Sequence, residues 1–445
     1  MAGQHTAEAT EARTGDNRYV IEGGRPLSGG VRISRAKNAA LPALAAALLT
    51  DEDCIIDQVP RIEDVGIMAE VLRSLGVRLE WLGGHRLRVN AAGVHTLVAP
   101  SELVVKNRAS FLVMGPLLAR FGDAASSPPG GDVIGQRPID VHLSGFATLG
   151  AEIATWEDKY RARCPRLRGA FIFMDYPSHI GTENLLMAAC LAEGETIIKN
   201  ASAEPEVADL AEMLRGMGAR IGGVGTSTIR VRGVSRLHGV SHRVIPDRIE
   251  AGTFAIAAAA TGGEVKLCNV RPRHMDSLLW KLREAGADVL EGPSWIRVRG
   301  KPLSGVNVQA LPYPGFPTDL QAAFGVMLTQ AAGASVIHER VYDNRLRYVA
   351  ELRRMGADIE VRGQTAVISG PTPLRAAEVR ALDIRSGAAL VLAGLAASGR
   401  TTIRDIHHVA RGYESIEEKL NRLGASIRRE AGRREGDDAR RSDRH

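Results

Sequence analysis

The sequence contains few cysteines and no long apolar run. Its 445 residues include four cysteines, which lie far apart and form no CxxC pair: Cys54, Cys164, Cys190 and Cys268. This pattern predicts neither a zinc site nor a disulfide framework, and it favours a reducing cytoplasm. The longest apolar stretch, 39–49, is too short to cross a bilayer, and the polar N-terminus does not resemble a signal peptide. We therefore expect a cytoplasmic protein with no membrane partner.

Motifs for nucleotide cofactors and metals are also missing. The sequence has no GxxxxGK(S/T) phosphate loop, and the glycines of 223–225 lack the third glycine of a dinucleotide fingerprint. HExxH, GxSxG and EF-hand patterns are absent as well. We expect chemistry that needs no metal and no cofactor.

The charge balance is mildly basic, with a formal net charge of +6. Part of this excess lies in the last 18 residues, where seven arginines outnumber five acidic residues. We predict disordered tails at 1–17 and 429–445 because both are polar and poor in apolar residues. Nucleic-acid binding is not expected, since acids interleave with the bases of the C-terminal tail and no aromatic platform accompanies them.

One pattern recurs six times along the chain: an amphipathic run, a glycine followed by Ala or Val, and then a strand pair. The central glycines lie 68–74 residues apart: Gly76, Gly150, Gly218, Gly286, Gly356 and Gly424. A fixed period indicates one supersecondary unit used repeatedly. A glycine at this place suits a helix end that needs a left-handed residue. Strand pairs are predicted at 220–221 with 229–231 and at 288–289 with 295–298. Because the chain exceeds the usual size of one core, six units favour two domains of three.

Three kinds of segment carry candidate binding residues. Lys37 and Asn38 enter an apolar helix, where an ammonium, an amide and free backbone N–H groups suit a phosphate or carboxylate. The alternative is an exposed lysine beside a turn. The Pro- and Gly-rich loop 126–140 carries Asp132 at its tip and Arg137 at its base, which would act on one ligand if the loop folds as a lid. The alternative is a plain surface loop.

Charged residues also open three helices of small residues. Asp247 and Asp383 are read as helix caps or as ion pairs between domains. Asp319 follows Phe-Pro-Thr, which restrains the backbone, and this context favours a functional role. Arg345 and Arg411 also precede helices, although either one alone would usually be a solvated charge.

Several of these segments, in this order, resemble the UDP-N-acetylglucosamine 1-carboxyvinyltransferase family over 19–427. The matching segments are SRAKNAALP (34–42), GGDVIGQRPID (130–140), PDRIEAGTF (246–254), FPTDLQ (316–321) and RGYE (411–414). The resemblance implies an α/β (α+β) fold, a two-domain inverted α/β barrel of six βαβαββ repeats, three per domain. It implies a catalytic-loop domain at 37–245 and a second domain formed by 18–36 and 246–428.

The resemblance also implies a reaction and its residues. The expected enzyme is an enolpyruvyl transferase that joins phosphoenolpyruvate to the 3-hydroxyl of UDP-N-acetylglucosamine, without a cofactor, in peptidoglycan synthesis. The implied catalytic residues are Asp132, Asp319 and Lys37. Phosphoenolpyruvate would be bound by Lys37, Asn38, Arg137, Arg385 and Arg411. The UDP-sugar would be bound by Arg108, Arg137, Pro138, Ile139, Asp140, Val141, Asp319 and Val341.

The sequence departs from the family pattern in a few places. Asp132 stands where most members carry a loop cysteine, which is a recognised variant. His179 and Ile180 alter the usual Ser-Val-Gly-Ala-Thr-Glu-Asn segment, while Tyr176 and Glu63 stand where some members carry lysine. Three alternatives stay open: transfer to shikimate 3-phosphate, transfer to another nucleotide sugar, or a non-catalytic UDP-sugar-binding regulator. The sequence predicts no oligomeric state.

Overall fold

The computed structural model of the protein describes residues 17–135 and 139–431. Within these ranges the chain forms 23 strands and 14 α-helices, numbered in chain order. The strands are β1 (Arg18–Glu22), β2 (Ser28–Arg32), β3 (Cys54–Asp57), β4 (Arg78–Gly83), β5 (Arg86–Asn90), β6 (Asp123–Ser126), β7 (Glu152–Trp156), β8 (Lys159–Arg163), β9 (Phe171–Phe173), β10 (Glu195–Lys199), β11 (Arg220–Gly222) and β12 (Thr228–Arg232). They continue with β13 (Ser241–Arg243), β14 (Glu264–Cys268), β15 (Asp288–Gly292), β16 (Trp295–Arg299), β17 (Asn307–Ala310), β18 (Gly333–Glu339), β19 (Asp358–Arg362), β20 (Thr365–Gly370), β21 (Glu378–Arg380), β22 (Arg400–Arg404) and β23 (Ser426–Glu430). The helices are α1 (Lys37–Ala46), α2 (Glu63–Ser74), α3 (Ser101–Val104), α4 (Met114–Phe121), α5 (Asp140–Thr148), α6 (His179–Ala189), α7 (Pro205–Gly216), α8 (Arg248–Ala260), α9 (Asp276–Glu284), α10 (Thr318–Leu328), α11 (Tyr348–Arg354), α12 (Ile384–Ala396), α13 (His407–Ala410) and α14 (Ile416–Arg422).

The strands form six separate sheets, as many as the predicted repeats. Their orders are β13-β3-β5-β4, β6-β8-β7, β11-β12-β10-β9, β15-β16-β14-β2, β17-β18-β20-β19 and β21-β22-β1-β23. Each four-stranded sheet has one parallel pair at an edge and is otherwise antiparallel. In the three-stranded sheet, a parallel bridge between Val98 and Ala125 lies where a fourth strand would pair. The α/β class is confirmed, but the sheets formed by the described residues are open and none closes into a barrel.

The N-terminal strands pair with the C-terminal part of the chain. Strand β1 lies between β22 and β23, and β2 pairs with β14. The chain then passes 34–36 and returns at 245–247, and these two segments lie side by side. The backbone N–H of Ala36 donates to Ile245 at 2.9 Å, and that of Asp247 donates to Ser34 at 2.9 Å.

Two clusters of buried apolar residues lie on either side of this crossing. The first core contains residues between positions 36 and 245. The second core combines 19–33 with 249–427. The domain boundaries drawn from the sequence stay a prediction, which this division supports. One predicted end was wrong: β23 continues to Glu430, so 429 and 430 belong to a strand and not to a tail. The tail residues 1–16 and 432–445 lie outside the described part of the chain.

Helices rich in small residues occupy the centre of each core. Every residue of α8 is buried, and α12 is buried from Ile384 to Leu395. Helix α10 packs against both. Alanine and glycine let these helices approach closely, so their first turns can meet on the side that faces the other core.

The six repeat glycines adopt the predicted left-handed backbone conformation. Their φ angles lie between 90° and 106°, and each follows the end of a helix by two residues. The predicted strand pairs are also confirmed, since Ile221 is opposite Val231 and Val289 is opposite Val298. The regularly spaced glycines therefore mark positions where the backbone adopts a left-handed conformation.

Gly424 offers a direct test of that requirement. Its φ is +92°, and a Cβ added there would meet no atom within 4 Å. We expect Gly424→Ala to lower the free energy of unfolding by about 1–2 kcal/mol, because only backbone strain changes. The matched control is Gly66→Ala on the exposed face of α2, which should raise stability by up to about 1 kcal/mol. Urea unfolding measures both, and effects of the same sign would contradict the interpretation.

Candidate active site

The candidate residues lie at helix ends between the two cores. Lys37 and Asn38 begin α1, Asp319 lies in the first turn of α10, and Arg385 lies in the first turn of α12. Arg411 follows α13. The positive ends of three helices thus point towards the same region, an arrangement that favours anionic ligands.

Asp319 is held by two buried arginines. Arg345 Nη2 donates to its Oδ1 at 2.9 Å, and Arg385 Nε donates to its Oδ2 at 2.9 Å. Burial alone would raise the pKa of Asp319, but nearby positive charges outweigh it and lower that pKa well below its ordinary value. Those charges belong to Arg385, Arg345 and Lys37. Asp319 is therefore ionised, and Lys37 lies within its electrostatic range.

Asp64 joins the other cations. This carboxylate is 1% exposed, and it accepts Lys37 Nζ at 3.0 Å and Arg411 Nε at 2.9 Å. Arg411 Nη1 also donates to Asp132 at 2.7 Å. Lys37, Arg411 and Asp132 therefore lie together, although they come from widely separated parts of the sequence.

The loop that carries Asp132 lies across the space between the cores. On the first-core side, the backbone N–H of Gly131 donates to Val105 at 3.2 Å. On the second-core side, Asn344 donates to the carbonyl of Ile134 at 3.3 Å, and Gly135 lies so close to Asp343 that a Cβ would clash with it. Arg137 and Pro138 of this loop lie outside the described residues, so their predicted roles stay predictions.

Two of the charged helix starts have a structural role. Asp247 accepts the backbone N–H groups of Ile249 and Glu250, and it therefore caps α8. Asp383 accepts those of Arg385 and Ser386 and forms a capping box with Ser386. Of the two interpretations left open by the sequence, the cap is the one observed. Asp319 makes no such cap, since its carboxylate is held by arginines.

A central cavity of about 400 Å³ opens beside these charges. Among the residues predicted to bind the UDP-sugar, Arg108, Asp140, Val141, Asp319 and Val341 line it, while Ile139 does not. Of those predicted to bind phosphoenolpyruvate, Asn38 lines it. Lys37, Arg385 and Arg411 do not line it. Lys37 directly precedes Asn38, Arg385 binds Asp319, and Arg411 shares Asp64 with Lys37. The wall comes from both cores.

Three of the positions that depart from the family pattern also line this cavity. Tyr176, His179 and Ile180 line it together with Glu204 and Arg248. Arg248 of α8 forms an ion pair with Glu206 at 2.9 Å and with Glu204 at 3.3 Å, which connects the second core to the first. These three departures therefore alter the cavity wall, whereas the departure at Asp132 adds a carboxylate to the Asp64 cluster through Arg411.

Sequence reasoning missed two residues of the charge cluster. Asp64 was not among the predicted residues, and Arg345 taken alone would usually be a solvated charge. The usable signal for Asp64 was a carboxylate on the buried side of a helix, since such a charge requires a partner.

Among the described residues, no group of three His, Cys, Asp or Glu side chains is arranged to hold a metal ion. None of the helices described has the length and apolar character needed to cross a membrane.

Comparisons with known proteins agree with this fold. The family model for EPSP synthase (3-phosphoshikimate 1-carboxyvinyltransferase) matches residues 21–420. Among solved structures, the enolpyruvyl transferase NikO from Streptomyces tendae superposes with a TM-score of 0.85 at 26% identity, covering 94% of this chain and all of that one. An EPSP synthase from Acinetobacter baumannii gives a TM-score of 0.73 at 20% identity, over 93% of this chain and all of that one, and shows the fold alone. The chain therefore belongs to the EPSP synthase family of carboxyvinyltransferases. Its place within that family follows from the relatives with higher sequence identity.

Those relatives are much more similar to the chain. UDP-N-acetylglucosamine 1-carboxyvinyltransferase 1 of Caldanaerobacter subterraneus subsp. tengcongensis is 51% identical over 413 residues, which is 93% of this chain and 99% of that protein. UDP-N-acetylglucosamine 1-carboxyvinyltransferase of Halorhodospira halophila is 49% identical over 414 residues, with the same two coverages. The group is thus that of the UDP-N-acetylglucosamine 1-carboxyvinyltransferases.

The role of Asp64 can be tested through stability. Asp64→Asn leaves the largely buried Lys37 without its carboxylate and leaves Arg411 with Asp132 alone, and we expect the free energy of unfolding to fall by about 3 kcal/mol. The matched control is Asp53→Asn, whose carboxylate is 52% exposed and 3.5 Å from Arg88. That change should be within about 0.5 kcal/mol of zero. Denaturant unfolding compares the two, and equal losses would show that Asp64 does not hold the cluster.

Proposed function

We propose that the chain transfers the enolpyruvyl group of phosphoenolpyruvate to the 3-hydroxyl of UDP-N-acetylglucosamine and releases inorganic phosphate. The observation that carries the proposal is the grouping of Lys37, Arg385 and Arg411 around two carboxylates, beside a cavity walled by both cores. Four relatives at about 50% identity bear the name of this activity. The product would enter peptidoglycan synthesis, with its links to cell shape and division.

The cations suit the charge of phosphoenolpyruvate. Its phosphate and carboxylate carry close to three negative charges, which guanidinium groups can bind through two parallel hydrogen bonds. Arg385 also has a buried Nη1 atom with no hydrogen-bond partner among the described residues. A buried donor of this kind gains most from an anionic acceptor. We assign phosphoenolpyruvate binding to Lys37, Asn38, Arg385 and Arg411, and we extend this assignment to Arg137.

Asp319 is the proposed base for the sugar hydroxyl. In the reaction, the sugar oxygen forms a bond to C2 while C3 gains a proton, which gives a tetrahedral ketal. A carboxylate next to the hydroxyl can accept its proton as this bond forms. The three cations that lower the pKa of Asp319 make it a weak base, but substrate anions would neutralise part of their charge. Asp319 would then become more basic once phosphoenolpyruvate is bound.

The C3 proton needs a second group. We assign it to Asp132 in the filled site, with Lys37 as the alternative donor. The ketal then loses a proton from C3, and the C2–O bond to phosphate breaks with release of the phosphate. Arg411 favours the charged form of Asp132, so Asp132 would have to exchange this contact for the bound phosphate before donating a proton.

The central cavity is the proposed site for the UDP-sugar. Arg108, Asp140, Val141 and Val341 contribute to its wall. We keep Pro138 and Ile139 in the proposed set because they directly precede this wall. Transfer to shikimate 3-phosphate is the second candidate, because the matching family model carries the name 3-phosphoshikimate 1-carboxyvinyltransferase. Transfer to a different nucleotide sugar remains a further alternative. The four thiols are unpaired, as a reducing cytoplasm would leave them.

A coupled assay of phosphate release tests the acceptor. With phosphoenolpyruvate present, we expect rapid release with UDP-N-acetylglucosamine and background release with shikimate 3-phosphate.

Variants of the carboxylates Asp319 and Asp132 test the proposed chemistry. Asp319→Asn should lower turnover by about 10²–10⁴-fold, the usual range for loss of a general base.

The matched control is Asp383→Asn, because Asn caps a helix about as well as Asp and this carboxylate is assigned no chemical role. It should keep turnover within about threefold of the native enzyme, in contrast to the loss expected of a general base. Equal losses in both variants would remove Asp319 as the base. Binding of both substrates without any phosphate release would instead support the non-catalytic regulator.

Asp132 gives an independent prediction. Asp132→Asn should reduce turnover by at least about 10²-fold because the amide cannot deliver the proton. The family resemblance associates the epoxide fosfomycin with alkylation of the loop cysteine. A carboxylate is a weaker nucleophile than a thiolate, so the native enzyme should keep its activity after incubation with fosfomycin. Asp132→Cys should become sensitive with time, and time-dependent loss in the native enzyme would contradict this assignment.

A further inference from the structure

A second cleft lies where the chain passes between the two cores, and it shares no lining residue with the central cavity. We call it the hinge cleft. Its volume is about 380 Å³, within the range of small-molecule pockets, and its walls include Arg32, Arg35, Gln58, Asn269, Lys419 and Arg422. The crossing segment 32–35 forms one wall. The proposed reaction uses none of these residues.

Arg35 is in an unfavourable electrostatic environment. Burial lowers the pKa of its guanidinium, and three neighbouring arginines lower it further: Arg243, Arg32 and Arg271. One carboxylate, Asp57, acts in the opposite direction. Asp57 is already engaged, since it accepts Arg243 Nε at 3.0 Å. The three arginines thus act on Arg35 against a carboxylate that is already paired, and like charges at short range destabilise one another. The cleft is also lined by Glu414, which accepts Ser34 Oγ at 3.1 Å, and by Glu418, which lies 3.6 Å from Arg422.

Arg35 also lacks a hydrogen bond that its burial requires. Its Nε atom is buried and has no partner among the described residues. A buried donor without an acceptor costs free energy, as does an uncompensated charge. Two other cations of the cleft, Lys419 and Arg422, already have partners. Lys419 forms an ion pair with Glu250 and donates to Ser34 at 2.6 Å, and Arg422 lies 3.6 Å from Glu418.

The hinge cleft is directly connected to the candidate active site. Ser34 Oγ donates to Glu414 at 3.1 Å, and both residues line the cleft. Lys37 follows Ser34 by three residues, and Arg411 precedes Glu414 by three. A ligand in the cleft would therefore contact the two segments that carry these active-site cations.

We infer that the hinge cleft binds a small anion with two or more negative charges, held by the guanidinium groups of Arg32 and Arg35. The amide of Gln58 also lines the cleft and suits an additional oxygen atom, as does that of Asn269, whose Nδ2 already donates one hydrogen bond to the carbonyl of Ile33 at 2.7 Å. A phosphate ester and a polycarboxylate share this chemistry. The bound anion would relieve the repulsion among the arginines and fix the crossing segments.

Calorimetric titration with inorganic pyrophosphate, and separately with citrate, tests the inference at an ionic strength held constant with sodium chloride. We expect two classes of site for pyrophosphate in the native protein. Arg35→Gln should weaken one class at least tenfold, and Arg411→Gln should weaken the other. The matched control is Arg362→Gln, which removes an exposed arginine of β19 paired with Glu360 at 2.7 Å and should change neither class. Stronger binding of citrate or of pyrophosphate to the Arg35-dependent class identifies the kind of anion.

The stability of the variant separates binding from a structural role. In buffer without polyvalent anions, Arg35→Gln should unfold at the same temperature as the native protein or higher, because one repelling charge is gone. The inference is overturned if native protein and Arg35→Gln give the same isotherms with both anions, or if Arg35→Gln unfolds at a clearly lower temperature. The test measures binding alone, so it does not depend on the proposed transfer reaction.

Discussion

The candidate active site depends on charge compensation. Lysine and arginine side chains that are mostly buried are stable only if anions lie close to them. Here Asp64 compensates Lys37 and Arg411, and Asp319 compensates Arg345 and Arg385. Because the two carboxylates bind these cations, the cationic side chains are arranged around negative charge, as an anionic substrate would require. The cations keep their positions, and a substrate needs only to exchange partners with them.

This exchange links substrate binding to the chemistry. A carboxylate that two guanidinium groups hold is strongly stabilised in its charged form, and its low pKa makes it a poor proton acceptor. An incoming phosphate and carboxylate compete for the same guanidinium groups. In the proposed reaction, the pKa of Asp319 would move back towards its ordinary value as the substrate anions take over part of that charge. A base that becomes active only once phosphoenolpyruvate is bound would also limit unproductive proton transfer.

The sequence predicted those features that depend on local backbone geometry or on short motifs. The helix ends at Gly218 and Gly286 require a left-handed conformation, and their regular spacing revealed both the repeat and its strand pairs. Arg411 and Asp64 are 347 residues apart, so no local sequence pattern predicts their ion pair. Arg345 looked like a solvated charge because its partner Asp319 lies 26 residues earlier in the chain, beyond the range of any local pattern. Ion pairing between separate segments was therefore the part that required coordinates.

Asp132 shows how one substitution changes the energetics of a loop. Ordering the backbone costs about 1–2 kcal/mol per residue, while a charge-assisted hydrogen bond contributes about 1.5–3 kcal/mol. The ion pair with Arg411 therefore cannot position the loop alone, and the burial of Ile134 and the backbone contacts of Gly131 and Asn344 supply the rest. A cysteine would keep those contacts and lose the ion pair. With aspartate, the loop and the substrate compete for Arg411, so binding of the substrate frees the carboxylate that is proposed to move the C3 proton.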